Sequence, residues 1–105
     1  MPDATSGTRE LLLPSKLKVL ERVDEETLRY SALAGFDDLQ AGMIAMAAIE
    51  AVTNAVVHGN RQSGDKQVRV AYAWSPGRIE ITVHDEGDGF DLGCVLDPTD
   101  PARCM

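Results

Sequence analysis

The sequence predicts an α+β domain, a mainly antiparallel sheet with helices covering one face. Three features predict it: a short apolar run closed by Pro14, a long and almost uncharged helical stretch from Asp37 to about His58, and strict alternation from Val68 to Val83 across a Pro-Gly turn. At 105 residues and 44% hydrophobic content the chain has room for one compact domain. A domain of this size buries roughly two-thirds of its unfolded surface.

The first eight residues are small and polar and read as a flexible tail, with the domain expected over 9–93 and an irregular tail over 94–105. Arg9 to Leu13 suits a brief edge strand, because a proline at its end cannot donate to a ladder. Leu17, Leu20, Val23, Leu28 and Ala32 recur at helical spacing, so residues 15–34 are expected to form an amphipathic helix stopped by Gly35, with a possible break at Asp24 to Thr27. Asp37 or Asp38 can cap the next helix, which Gly59 would end. Between Leu39 and Val57 the sole charge is Glu50, which predicts burial on most sides. A membrane span is disfavoured there by Gln40, Gly42, Glu50 and Asn54.

Arg61 to Lys66 reads as a polar loop. Val68, Val70, Tyr72 and Trp74 then share one parity, as do Ile79, Ile81 and Val83 in the return strand. Pairing Trp74 with Ile79, Tyr72 with Ile81 and Val70 with Val83 gives a hairpin with one buried face. Its Pro76-Gly77 centre suits a type II turn, and since hairpins prefer the primed types the loop has room for a bulge. After Gly89 neither strand nor helix periodicity continues, and two Asp-Pro pairs favour turns.

Ten basic against seventeen acidic residues give a net charge of −7, so direct binding to nucleic acid or an anionic membrane is not expected. No secretion signal opens the chain, and a cytoplasmic location is expected. Cys94 and Cys104 lack a histidine neighbour and read as free thiols without a role.

Glu50, Asn54 and His58 recur every four residues and, on an α-helix, span an arc of only about 80°. That face also holds Leu39, Met43, Met46 and Ala47, so polar groups emerge from an apolar surface and need partners, either within the fold or on a ligand. Asp85 has the parity of Ile79, Ile81 and Val83, toward the core side, and Gly87 and Gly89 beyond it permit close backbone approach to a ligand. A calcium loop is a poor match, because its third and twelfth positions would be Gly87 and Leu96. A plain surface turn is the other reading of that stretch. Neither a P-loop nor a GxGxxG motif occurs.

EAVTNAVVHGN at 50–60, followed by a hairpin and VHDEGDGFD at 83–91, resembles the N box and first glycine box of the GHKL, or Bergerat-fold, histidine-kinase-like ATPases, particularly the anti-sigma-factor serine/threonine kinases of bacterial partner-switching modules. The resemblance implies a two-layer α/β sandwich with a mixed, mainly antiparallel sheet, incomplete at the C-terminus because the second glycine-rich box and its helix do not follow. It implies ATP and Mg2+ as cofactors. Asn54 matches the magnesium-coordinating asparagine, Glu50 the catalytic glutamate that orients or deprotonates the attacking hydroxyl, and Asp85 the aspartate that accepts from the adenine amino group. Gly87 and Gly89 match the glycines beneath the nucleotide, and His58 stands near the phosphates or caps the helix. An apolar setting would desolvate Glu50 and make it a better base. The implied partners are an anti-sigma-factor antagonist, as phosphorylation substrate, and a sigma factor, with homodimerisation left open. A non-catalytic binding module that keeps the fold, and a GHKL domain serving another reaction such as histidine phosphorylation, are the alternatives.

Overall fold

The computed structural model describes residues 5–59, 66–85 and 91–96. In chain order it contains β1 (Gly7–Pro14), a 3-10 turn (Leu17–Val19), α1 (Leu20–Leu33), α2 (Asp38–Asn54), a π-helical turn (Ala55–Gly59), β2 (Gln67–Ser75), β3 (Arg78–Asp85) and β4 (Asp91–Leu96). The strands make one four-stranded sheet in the order β1-β2-β3-β4, and every pairing is antiparallel. The parallel component that the resemblance implied is absent among the described residues.

The hairpin register is the one the alternation predicts: Trp74 pairs with Ile79, Tyr72 with Ile81 and Val70 with Val83. Ser75 pairs directly with Arg78, so the two-residue loop carries no bulge. Gly77 supplies the positive φ, 76°, that a type II turn needs at its third position. Its amide donates to Ala34 O at 2.8 Å, which ties the loop to the end of α1.

β1 lies at the sheet edge, as expected, but starts at Gly7 and pairs through Pro14 with Gln67. The earlier start has a steric basis. A Cβ on Gly7 would sit 2.7 Å from Trp74 Cζ2, so only glycine lets the strand pass beneath that indole. β4 follows Gly89, where no periodicity announced a strand, and is defined by its pairing with β3 from Ile79–Leu96 to His84–Asp91.

One face of the sheet builds the core. Leu11, Leu13, Val68, Val70, Tyr72, Ile79, Ile81 and Val83 pack with Val23, Tyr30, Ile44, Val52 and Val56 from the helical layer. Each such side chain contributes about 1.5–3 kcal/mol on burial, which outweighs any single hydrogen bond in the fold. Thr8, Glu10, Arg69 and Thr82, at the alternate positions, are exposed on the opposite face.

α1 runs unbroken through Asp24 to Thr27, where the buried Glu26 and Thr27 both find partners. The Tyr30 hydroxyl donates to Glu26 Oε2 at 3.0 Å. Thr27 Oγ1 and Tyr72 Oη share a 2.8 Å hydrogen bond. Arg22 and Arg29 reach Glu26 from the solvent side at 3.7 and 3.5 Å. The Tyr30 ring stacks on Trp74 with centroids 4.3 Å apart. At the C-terminus Gly35 (φ 97°) forms a Schellman motif, in which Phe36 N–H donates to Ser31 O and Gly35 N–H to Ala32 O.

α2 opens with a capping box between Asp37 and Gln40, with contacts of 2.8 and 3.1 Å. With its continuation to Val57 it is long and apolar enough to cross a membrane by length and composition. Ala41, Ile44, Ala45, Ala48, Ala51 and Val52 are instead buried within the domain. The expected burial on most sides is not found: Leu39 and Met46 are 75% and 71% exposed, and Met43 40%. Apolarity without charge reads as burial in a sequence, yet only one side of α2 is covered, mainly by α1.

Burial pushes the Tyr72 phenol up to about 12, and burial, then the hydrogen bond to Glu26, raises that of Tyr30. The folded-state value of Tyr72 lies above the unfolded one of 10. Its contribution to stability is therefore full below pH 10 and lost as the pH rises toward 12. An absorbance titration is expected to show one tyrosine ionising near pH 12, absent in Tyr72→Phe. That substitution also costs about 1–3 kcal/mol in denaturant melts, since Thr27 loses its buried partner.

Candidate functional site

The seating of α2 decides where the candidate residues go. Ala48, Ala51, Val52 and Ala55 face the core, so Glu50 and Asn54, one turn apart, are carried on the outer side, and both are exposed. The expected desolvation of Glu50 does not hold in this arrangement. Glu50 lines a shallow cavity of about 250 Å³ with Met43, Met46 and Ala47, so the carboxylate borders an apolar surface and stays open to solvent.

His58 was expected on the same line. Its backbone belongs to the π-helical turn, and at roughly 80° per residue the position stays within about 40° of Asn54 around the helix axis, so the change of winding does not remove it from that face. Asp85 is the last residue of β3 and pairs with Val68 through its backbone. β3 packs against the π-helical turn. The last turn of the long helix and β3, the two elements that carry the sequence motifs, are therefore packed against one another. Gly87 and Gly89 lie outside the described residues, as do 1–4 and 97–105 of the expected tails and 61–65 of the expected loop.

Among the described residues no group of three His, Cys, Asp or Glu side chains is placed to hold a metal ion. The chemistry of Asn54 suits a different arrangement. Its exposed carboxamide offers one neutral oxygen, which fits a magnesium ion that takes most of its ligands from phosphate oxygens and water. A larger cavity, about 540 Å³, lies on the solvent face of the sheet over Ala71 and Ala73, with Thr8, Glu10, Glu80 and Thr82 around it. None of the candidate residues lines it.

The buried Glu26, Thr27, Tyr30 and Tyr72 group was not foreseen. A signal existed: Val23, Glu26, Thr27, Tyr30 and Ser31 share one helical face, so a polar stretch read as a break follows the core period.

The family described as the histidine kinase-like ATPase domain matches residues 13–103. The chain is 51% identical over 42 residues to an anti-sigma F factor of Heyndrickxia coagulans, which covers 39% of this chain and 29% of that protein. It is 39% identical over 57 residues to the serine-protein kinase RsbW of Bacillus licheniformis and 36% identical over 57 residues to that of Bacillus subtilis (strain 168). Each of these covers 54% of this chain and 34% of the relative. The matched segments thus span about a third of the length of these curated relatives.

The outward seating of this face has a direct test in stability. Met46→Glu is expected to change unfolding free energy by under about 0.5 kcal/mol, while Ile44→Ala, two residues away on the inner side, costs about 2–5 kcal/mol in denaturant melts. Equal losses would contradict the assignment of faces.

Proposed function

The chain belongs to the histidine kinase-like ATPase domain family, and from that membership we propose an ATP-binding serine/threonine protein kinase of the anti-sigma-factor type, which phosphorylates an anti-sigma-factor antagonist and binds a sigma factor. The observation that carries the reading is the pair of exposed polar residues, Glu50 and Asn54, at the end of a helix otherwise almost free of charge, next to the strand that ends at Asp85. A cytoplasmic location belongs to the same proposal.

ATP would supply the phosphoryl group, and Mg2+ would offset the charge on its phosphates. The chain's own residues have separate tasks. Asn54 presents its carboxamide oxygen to the cation, and Asp85 accepts from the adenine amino group. Gly87 and Gly89 let the backbone pass beneath the nucleotide. Glu50 accepts the proton of the attacking hydroxyl or orients that hydroxyl. The exposure of Glu50 suits this task, because the hydroxyl belongs to another protein and must reach the base from solvent. His58 stands near the phosphates or terminates the helix.

The Leu39, Met43 and Met46 surface favours a second reading, a non-catalytic module that works through protein contact. The two separate at Glu50. Under the kinase reading, calorimetry shows magnesium-dependent binding of ATP and ADP. Glu50→Gln keeps nucleotide affinity but slows phosphate transfer to a serine-bearing antagonist by about 100-fold or more. Asn54→Ala weakens the magnesium-dependent part of binding. Nucleotide binding without transfer in the unaltered chain would favour the contact module, and absence of nucleotide binding would exclude both tasks assigned to Asn54 and Asp85.

A further inference from the structure

The outer side of α2 carries large apolar side chains that the fold leaves uncovered. Leu39 and Met46 are 75% and 71% exposed, and Met43 is 40% exposed. Met43, Met46 and Ala47 line the shallow cavity of about 250 Å³ that Glu50 closes on its remaining side. Pockets that enclose whole small molecules measure roughly 300–1,000 Å³, so this one suits a single side chain. Large apolar residues exposed together mark contact sites, and methionine, unbranched and polarisable, adapts to different partners. α2 contains Asp38 and Glu50 and neither lysine nor arginine, so an acidic occupant is disfavoured.

Met43 and Met46 stand seven and four positions before Glu50, and Asn54 stands four positions after it, all exposed on one side of the helix. The order along α2 is therefore apolar dent, proposed base, proposed cation ligand. Transfer of a phosphoryl group to a hydroxyl keeps the attacking and leaving oxygens roughly in line, with phosphorus between them. The serine oxygen bonds to phosphorus as the bond to the ADP oxygen breaks, and the hydroxyl proton passes to Glu50. With the nucleotide held between Asn54 and Asp85, the leaving oxygen lies beyond Glu50 from the dent, so the hydroxyl arrives from the dent side. A segment that delivers it runs over Met46 and Met43.

We propose that this dent is the docking site of the phospho-acceptor: a serine-bearing segment of another protein lies along α2 and seats one apolar side chain among Met43, Met46 and Ala47. The spacing to the serine follows from geometry. At about 1.5 Å per helical residue Met46 and Met43 lie roughly 6 and 10 Å from Glu50, and an extended segment advances roughly 3.3 Å per residue, which puts the apolar side chain about two or three residues from the serine. The proposal rests on the kinase reading, with Glu50 as base, and adds what the substrate must carry. A second copy of the chain is a poorer occupant, because helices crossed antiparallel at the middle of the patch would bring Asp38 of one to Glu50 of the other.

The test offers the chain Mg2+, ATP and synthetic serine peptides of alanine and lysine that differ only in the place of a single leucine. A leucine about two or three residues from the serine, on one side or the other, is expected to raise kcat/KM about tenfold or more over the leucine-free peptide. Met43→Ser and Met46→Ser are expected to keep the melting temperature and to hold ATP affinity within about twofold, while the gain from leucine falls below about twofold. A leucine gain that is absent at this spacing, or that survives in both variants, overturns the proposal, as does a fall in ATP affinity that matches the lost gain. If the variants fail to fold, the methyl signals of Met43 and Met46 in the unaltered chain with Mg2+ and ADP decide. A leucine peptide with alanine in place of its serine shifts them if the segment docks here, and unmoved signals overturn the proposal. An unaltered chain that binds no ATP, or transfers phosphate to none of the peptides, refutes the kinase reading itself, and that outcome is read before any variant is made.

Discussion

Everything placed at the candidate site depends on how α2 sits on the sheet. Ala41, Ala45, Ala48, Ala51 and Ala55 are buried along that helix, which packs mainly on α1, and Ile44, Val52 and Val56 belong to the same core cluster as the valines and isoleucines of β2 and β3. Small residues permit close approach of α2 to α1, and the branched ones in the core fix its rotation. Once the rotation is fixed, residues 50 and 54 have no choice of direction. The chemistry is therefore positioned by methyl groups on the far side of the helix.

The second helix-to-sheet attachment is polar. Glu26 and Thr27 are buried in α1, and each has a tyrosine partner, Tyr30 or Tyr72. Two arginines keep one side of Glu26 in contact with charge of opposite sign. Unpaired, these groups would each oppose folding by about 1–3 kcal/mol or more, and the Thr27–Tyr72 bond, which joins α1 to β2, favours one orientation of α1 over others with equal apolar burial. The Gly77 to Ala34 hydrogen bond closes the same corner through the backbone.

Legibility in the sequence follows the physics of each element. The hairpin register was readable because a period of two admits one pairing once Pro76 and Gly77 set the loop. The stop at Gly35 and the cap at Asp37 were readable because each rests on a local hydrogen-bond requirement. The start of β1 was not, since it depends on an indole 67 positions away in the chain meeting a glycine. The exposure of Leu39, Met43 and Met46 was misjudged because composition alone does not reveal which side of an apolar helix the sheet will take. At the site, Glu50, Asn54 and His58 were identified by motif and spacing. Only the backbone shows that the winding changes after Asn54.

The central claim is that the ends of α2 and β3 form one magnesium-nucleotide site, and it is tested most directly by a nitrogen-resolved NMR titration with ADP, with and without Mg2+. The account predicts that the Asn54 side-chain amide and the Asp85 backbone amide shift along the same binding curve, and that the Asn54 response disappears when Mg2+ is left out. An Asp85 response without one at Asn54, or a shift at Asn54 indifferent to Mg2+, would contradict it.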